Sequence, residues 1–570
     1  MSLNSCSCPS GVLHKRADYA RADDAYKRAV RWYAKAVFSD DACSAYNLGV
    51  CYYNGDGVRK DCIKAVYWYL KAAEQDYVNA QYLLGCCYAQ GTGVFPDYAK
   101  AVCWYTKAAE QGHSGAQFKL GCCYYFGDGV SRDFEKAVYW YTKAAEQNNI
   151  NGVYSLGVCY SAGIGVPQDS SKAAALFTEA AMRGDARAQH NLGICYYFGD
   201  GVPRDYAKAV YWYAKAAGCG NSSAQFDLGK CYADGTGVEQ DLAAALEWYA
   251  KAANAGNADA ENALGDCYYY GNVVARDPAK AVFWYAKSAA QGNAEAQCSL
   301  GFCYSVGCGI EQNPEDAVMW YAKSAEQGNS DAENSLGESY YYGNGVAQDY
   351  AKAAYWYAKA AEAGDVNAQC NLGFCYANGE GVEKDPEKVI YWHTKAAEQG
   401  DADAQNSLGE IYYYGTGAEC SYEKAVYWYM NAAEQGNSDA QCSLGFCYAS
   451  GKGIEQNQEK ALFWYLKAAE QGDADAEAEL AECYASGNGV PQDLKKSFAW
   501  YSKAAEHGNA DAAYTLGLIY LADEVVRRDS EKAAYWFAKA AACGNSDAQA
   551  ALDELRAKKK YLQTDLKNSF

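Results

Sequence analysis

The sequence predicts an all-α chain built as a solenoid of 36-residue helix-turn-helix repeats, and three observations predict it. A Leu-Gly pair recurs every 36 residues at Gly49, Gly85, Gly121, Gly157, Gly193, Gly229, Gly265, Gly301, Gly337, Gly373, Gly409, Gly445 and Gly517, with Ala481 alone breaking the column. All 14 tryptophans fall in a second column of the same period, from Trp32 to Trp536, where Leu176 is the one substitute. No insertion interrupts either column, so the turns have fixed length, and a period of this size marks stacked supersecondary units. Stacking also explains how 570 residues avoid splitting into several globular cores, since each unit buries its face on the next.

Taken in order, residues 1–11 read as a disordered N-terminus, whose Cys6 and Cys8 supply too few thiols for a closed zinc site. Residues 12–38 form a partial N-terminal capping repeat, residues 39–542 fourteen full repeats, and residues 543–570 a C-terminal capping helix and tail. Within a unit such as 79–112, apolar residues three and four apart put Ala80, Leu84, Cys87 and Tyr88 on overlapping inner faces of a first helix. The glycine after Leu84 lets a neighbouring helix approach closely. Gly91 and Gly93 then end that helix in the left-handed conformation. With no preceding strand and no following Lys-Ser/Thr, those glycines do not read as a phosphate loop.

The second helix opens at Asp61, Asp97, Asp133, Asp169, Asp205, Asp241, Asp277, Asn313, Asp349, Asp385, Ser421, Asn457, Asp493 and Asp529, all N-cap residue types. These carboxylates are expected to accept orphan backbone N–H groups, which makes them caps and not catalytic acids. The helix continues as K-A-x-x-W-Y-x-K-A-A-E-Q-G, with Ala65 and Trp68 expected in the core.

Composition narrows the function. The formal charge of −21 argues against nucleic acid or anionic membrane as partner, because phosphate binding needs clustered Lys and Arg. The one basic run, Arg556 to Lys560, ends the last helix, where cations suit the helix dipole. No window approaches the roughly 18 apolar residues of a membrane span. The N-terminus lacks the apolar core of a secretory signal. A soluble, cytoplasmic chain is therefore expected.

The pattern L-G-x-x-Y-x-x-G-x-G-V-x-x-D-x-x-K-A-x-x-W-Y-x-K-A-A resembles the Sel1-like repeat, a relative of the tetratricopeptide repeat, over nearly the whole chain. The resemblance implies a right-handed superhelix with the first helices on its concave face. It also implies a non-catalytic adaptor role in signalling, envelope assembly or protein quality control. Departures are local: Val273 replaces a loop glycine, Asp523-Glu524-Val525 replaces a G-x-G, and the segment 173–184 lacks Trp.

Some cysteine-rich relatives carry a bridge in each repeat, and some are described as β-lactamase-like. Here eleven of 25 cysteines share one column, from Cys51 and Cys87 to Cys447 and Cys483. Stacked helices lie about 8–10 Å apart, too far for column members to pair with one another. A buried ladder of thiols in a reducing compartment is expected. His14, His113, His190, His393 and His507 are scattered over distant units, and no S-x-x-K motif occurs, so no catalytic constellation, metal site or cofactor is expected.

The concave positions of such an array fall three before and one, four and five after the repeat glycine. Alternate units there carry Asn262, Asp266, Tyr269 and Tyr270; Asn334, Glu338, Tyr341 and Tyr342; Asn406, Glu410, Tyr413 and Tyr414. Intervening units carry Cys298 with Phe302, Cys370 with Phe374, and Cys442 with Phe446. Duplication of unit pairs produces this 72-residue overlay by descent alone. The functional alternative rests on chemistry that duplication does not dictate: rings supply contact area with few rotors to freeze, and the acids anchor Lys or Arg of a bound protein segment. The N-terminal units offer a more uniformly aromatic strip, including Tyr46, Tyr82, Tyr125, Phe126, Tyr197 and Phe198. The leading expectation is a scaffold that binds peptide or helical segments of other proteins. An exported envelope protein regulating cell-wall or polysaccharide enzymes comes second, and a cysteine-rich hydrolase third.

Overall fold

The computed structural model describes the backbone of residues 19–37 and 41–568 and the side chains of 25–37 and 41–558. The expected disordered segment 1–11, with Cys6 and Cys8, lies outside the described residues, as do His14 and the side chains of Lys559 and Lys560. The described residues contain no strand; they run as helices of mostly 13 residues, from Tyr19–Ala36 to Ser546–Asn568. None of these helices is long and apolar enough to cross a membrane. The chain divides into two compact units, the first ending at Trp284 and the second beginning at Tyr285. Within each, every repeat packs its first helix on its second, and its second on the first helix of the next repeat, which is an all-α solenoid arrangement.

The caps form as the residue types require. Asp97 Oδ1 accepts from Lys100 N at 2.9 Å, Asn457 Oδ1 from Lys460 N at 2.9 Å, and Asp529 Oδ1 from Lys532 N at 3.0 Å. The hydrogen bond from the Lys100 backbone N–H is the main reason the Asp97 carboxyl lies below the usual carboxylate range. First helices are capped as well, by Asn149, Asn221 and even His113, whose Nδ1 accepts from Ala116 N at 3.0 Å. Gly91 and Gly93 adopt φ of 70° and 74°, ending the first helix in the left-handed conformation. Where the G-x-G is lost, Asp523 itself takes φ 62°.

The core is a ladder of small residues and one large ring per repeat. In the repeat containing Leu84, the buried set is Ala80, Leu84, Cys87, Ala101, Tyr105 and Ala108. The ring explains the glycine column: a Cβ on Gly121 would stand 2.6 Å from both Cδ1 and Cε1 of Tyr141. At Ala481 the Cβ is real, and the facing Tyr501 is 8 % exposed where Tyr465 is 1 %.

Burial of the tryptophans themselves is corrected: from Trp68 on it is the ring after the Trp, a tyrosine in most repeats, that fills the core, while the indole is only half-buried. Trp104 packs against the cluster that holds Tyr69 and Ala72 of the preceding repeat, and Lys107 Nζ lies 4.4 Å above its ring. The lysine three residues on thus shields the outer face of the indole.

A second ladder is polar. Gln117 Nε2 donates to Ala109 O of the preceding repeat at 3.1 Å, while its Oε1 accepts from Gln147 Nε2, at the end of the second helix of its own repeat, at 2.7 Å. The same Gln–Gln bond recurs at Gln369 with Gln399 and at Gln441 with Gln471. At two positions where the glutamine becomes a buried acid, a basic side chain meets it. Glu477 meets His507 at 2.8 Å and Glu333 meets Lys359 at 3.0 Å, because a buried carboxylate is costly without a donor.

Candidate partner-binding groove

The exposed ends of the first helices are built by an aromatic wedge. In the second unit, Tyr341 sits edge-on between Tyr342 and Tyr350, at centroid distances of 4.9 and 5.2 Å, and Tyr413 sits likewise between Tyr414 and Tyr422. In the first unit, Tyr125 is held by Phe126 and Phe134, and Tyr197 by Phe198 and Tyr206. The third ring always comes from the residue after the second-helix cap, so the loop brings it back onto the first helix. The inner ring of each pair is fixed, and the outer ring is presented to solvent.

This geometry sorts the fifteen sequence-predicted residues. Tyr270, Tyr342 and Tyr414 are exposed, as are Phe302, Phe374, Phe446, Glu338 and Glu410, while Asp266 is half-exposed. Tyr269, Tyr341 and Tyr413 are half-buried wedges with partners of their own: Arg276 over Tyr269 at 5.6 Å, Glu380 accepting from Tyr341 Oη at 2.6 Å, and Lys452 Nζ donating to Tyr413 Oη at 2.9 Å.

The expectation that Asn262, Asn334 and Asn406 are exposed is corrected, since all three are buried. The last two act on the acids: Asn334 Nδ2 donates to Glu338 Oε1 at 3.1 Å, and Asn406 Nδ2 to Glu410 Oε1 at 3.3 Å. A side chain four residues earlier on a helix lies under its neighbour, so the asparagine becomes the acid's floor.

In the second unit the helices Ala402–Tyr414 and Ser438–Ser450 touch directly although a second helix separates them in sequence. Together with Ala474–Ser486 and Ala510–Ala522 they wall a cleft of about 710 Å³. Tyr413, Tyr414 and Phe446 line it alongside Asp475, Glu479, Glu482 and Asp511. Those four acids, and Lys452 at the rim, were missed from the sequence. The available signal was an acid six before the repeat glycine, at Asp331, Asp403, Asp439, Asp475 and Asp511.

Partial desolvation by the surrounding groove wall raises the Glu338 and Glu410 carboxyls above their usual range, although their side chains still reach solvent. Glu479 is raised by burial and then by neighbouring Glu482 and Asp475. Crowded, partly desolvated carboxylates of this kind stabilise a cation that enters among them.

The remaining reactive side chains do not converge on a centre. The four described histidines stand in separate repeats: His113 as a cap, His190 against Asp227 at 2.6 Å, His507 on Glu477, and His393 in the core. Among the described residues, no three His, Cys, Asp or Glu side chains are grouped as metal ligands. The described cysteines carry free thiols, and burial pushes those of Cys375 and Cys447 up to about 11, which suppresses the reactive thiolate.

A family model described as the Sel1 repeat matches fifteen segments. They are 16–37, 44–77, 78–113, 114–149 and 151–185, followed by ten consecutive 36-residue stretches from 186–221 to 510–545. Comparison with curated protein sequences returns no match. Among solved structures, the chain is similar to a protective antigen present in uropathogenic Escherichia coli strains and displaying an SLR fold. Identity is 37 %, over 80 % of this chain and 97 % of that one, with a TM-score of 0.64. It is also similar to a Sel1 repeat protein from Oxalobacter formigenes, at 33 % identity over 54 % of this chain and 89 % of that one, with a TM-score of 0.44. The matched segments, the 36-residue period and the stacked helix pairs agree: the chain belongs to the Sel1 repeat family.

Proposed function

We propose that the protein is a non-catalytic scaffold whose first-helix face holds segments of other proteins. The observation that carries this is the second-unit cleft, where exposed rings such as Tyr414, 72 % accessible, stand beside carboxylates from two neighbouring first helices. Large rings set on rigid helices recover contact area without an ordering cost, which is how interface anchors work. The cleft brings together no nucleophile, base and oxyanion donors of the kind a hydrolase needs, and the groove acids Glu338 and Glu410 are held by asparagines as fixed charges.

A photoreactive phenylalanine analogue at Tyr342 or Tyr414 is expected to form adducts with a partner protein, while the same group at Tyr355 or Tyr427, exposed on second helices, is not. Equal adduct yields on both faces would overturn the assignment. The similar Escherichia coli protein is described as a protective antigen, which favours export as a second reading. A thiol count on denatured protein taken from cells separates the two, with free thiols expected for the cytoplasmic scaffold.

A further inference from the structure

We infer that the cleft lined by residues from Tyr413 to Thr515 selects a basic segment, taking a Lys or Arg side chain among Asp475, Glu479, Glu482 and Asp511. The assignment rests on the groove acting as a binding surface and adds the chemistry of what it takes.

The first observation is charge without a counter-charge. Most acids at the second-helix caps hold a lysine of the same turn, as Asp349 does with Lys352 at 3.5 Å. The cleft acids are held only by neutral donors: Asp475 by Asn509 at 2.7 Å, Asp511 by Asn545 at 2.8 Å, and Glu482 by the hydroxyl of Tyr501 at 2.7 Å. Among the described residues none of these four has a Lys, Arg or His nitrogen within ion-pair distance, so a cation in the cleft meets unneutralised carboxylates.

The second observation is an acceptor lacking a donor. Asn406 is 8 % exposed, and its Oδ1 is buried with no hydrogen-bond partner. One 72-residue step earlier, Asn334 Oδ1 accepts from Asn371 Nδ2 at 3.1 Å. The residue equivalent to Asn371 is Ser443, which lines the cleft, so the donor that satisfies the carbonyl in the earlier repeat is replaced here by a shorter side chain at the cleft wall. A buried acceptor left without a donor is destabilising, and an ammonium or guanidinium donor entering past Ser443 relieves it.

The third observation is the chemistry already performed beside the cleft. Lys452 Nζ lies 5.0, 5.3 and 5.7 Å from the ring centres of Tyr413, Tyr422 and Phe446, while bonded to Tyr413 Oη. A lysine of the chain itself thus occupies an aromatic cage that lines the same cleft, which shows the wall is suited to cations.

The test uses the full-length protein and fluorescein-labelled hexalysine, with hexaglutamate as the control probe. Neutralising the wall with Asp475→Asn, Glu479→Gln, Glu482→Gln and Asp511→Asn is expected to weaken hexalysine binding at least tenfold, with thermal unfolding unchanged. Removing four exposed charges outside the cleft, by Glu398→Gln, Glu434→Gln, Glu470→Gln and Glu506→Gln, is expected to change it less than twofold. Equal losses in the two variants would show a mere net-charge effect and overturn the inference. So would unchanged binding in the cleft variant. If partner adducts at Tyr414 persist undiminished in the cleft variant, the groove assignment stands and the basic-segment assignment alone is lost.

Discussion

His393 stands where the repeat elsewhere places a tyrosine or phenylalanine, 2 % exposed, its ring edge-on to Phe374 at 5.3 Å and its Nδ1 without a partner. Burial pushes its pKa down to about 4, only partly offset by Asp401. A base whose folded-state pKa lies below its unfolded value leaves the fold at full stability above about pH 6.5. Stability is then lost as pH falls from there towards 4, by about 3 kcal/mol in all. Replacing His393 by the column's own Tyr is expected to abolish that loss. Denaturant unfolding of both proteins at pH 7 and pH 4.5 checks it; an equal fall in the two would mean the imidazole is not buried neutral. The same scale shows why the groove asparagines were misplaced. A column read from sequence fixes the angle of a residue around its helix, and Asn406 and Glu410 share nearly the same angle, yet which of them the next repeat covers depends on packing.

Among elements, the second helices show how far local chemistry alone can specify structure. Every cap named from the sequence accepts its backbone N–H, since that bond lies within one turn and needs no tertiary partner. Two kinds of cap give different responses to acid. Asn457→Ala is expected to cost about 1 kcal/mol at pH 7 and at pH 3 alike, because an amide does not titrate. Asp349→Ala is expected to destabilise at pH 7 as well, but by an amount that shrinks with acid. The backbone N–H of Lys352 holds the Asp349 carboxyl below its usual value. Its contribution is therefore present above about pH 4 and lost as pH falls through the lowered value. Chemical denaturation of the two variants at both pH values distinguishes the classes; identical pH responses would show that the cap carboxylate is not the titrating group.

Across the molecule, stability follows from repeats that touch only their neighbours. Emptying one core ring should therefore be felt locally. Tyr213→Ala, which removes the ring beneath Gly193, is expected to cost about 3–5 kcal/mol, and Trp212→Ala less, because the indole is half-buried and Lys215 covers it. Hydrogen exchange should accelerate in the helices from Ala186–Phe198 to Ser222–Asp234 and stay unchanged in distant repeats. Uniform acceleration along the chain would contradict a near one-dimensional array. The two units also differ in their groove faces. The second concentrates Glu338, Glu410, Asp475, Glu479 and Glu482, whereas the first presents Lys119, Arg187 and Lys230 on equivalent helices with Phe126 and Phe198 at their ends.

The sequence by itself determined the period, the helix pairs, the caps, the left-handed turns and the small residue opposite each ring. Each of these is set by neighbours within one turn or by the identical unit 36 residues away. It also located the aromatic columns on the right helices. Only the tertiary structure decided which ring of a Tyr-Tyr pair is a wedge and which is free, and that the residue after the cap completes the wedge. It likewise decided that Tyr, not Trp, fills the core, and that acids from two neighbouring repeats converge on one cleft with the aromatic rings of two others. Those outcomes depend on contacts 30 to 40 residues apart, such as Gln147 to Gln117 or Lys452 to Tyr413. A repeat pattern announces that such neighbours exist, but the stacking offset that pairs them is fixed only when the helices pack.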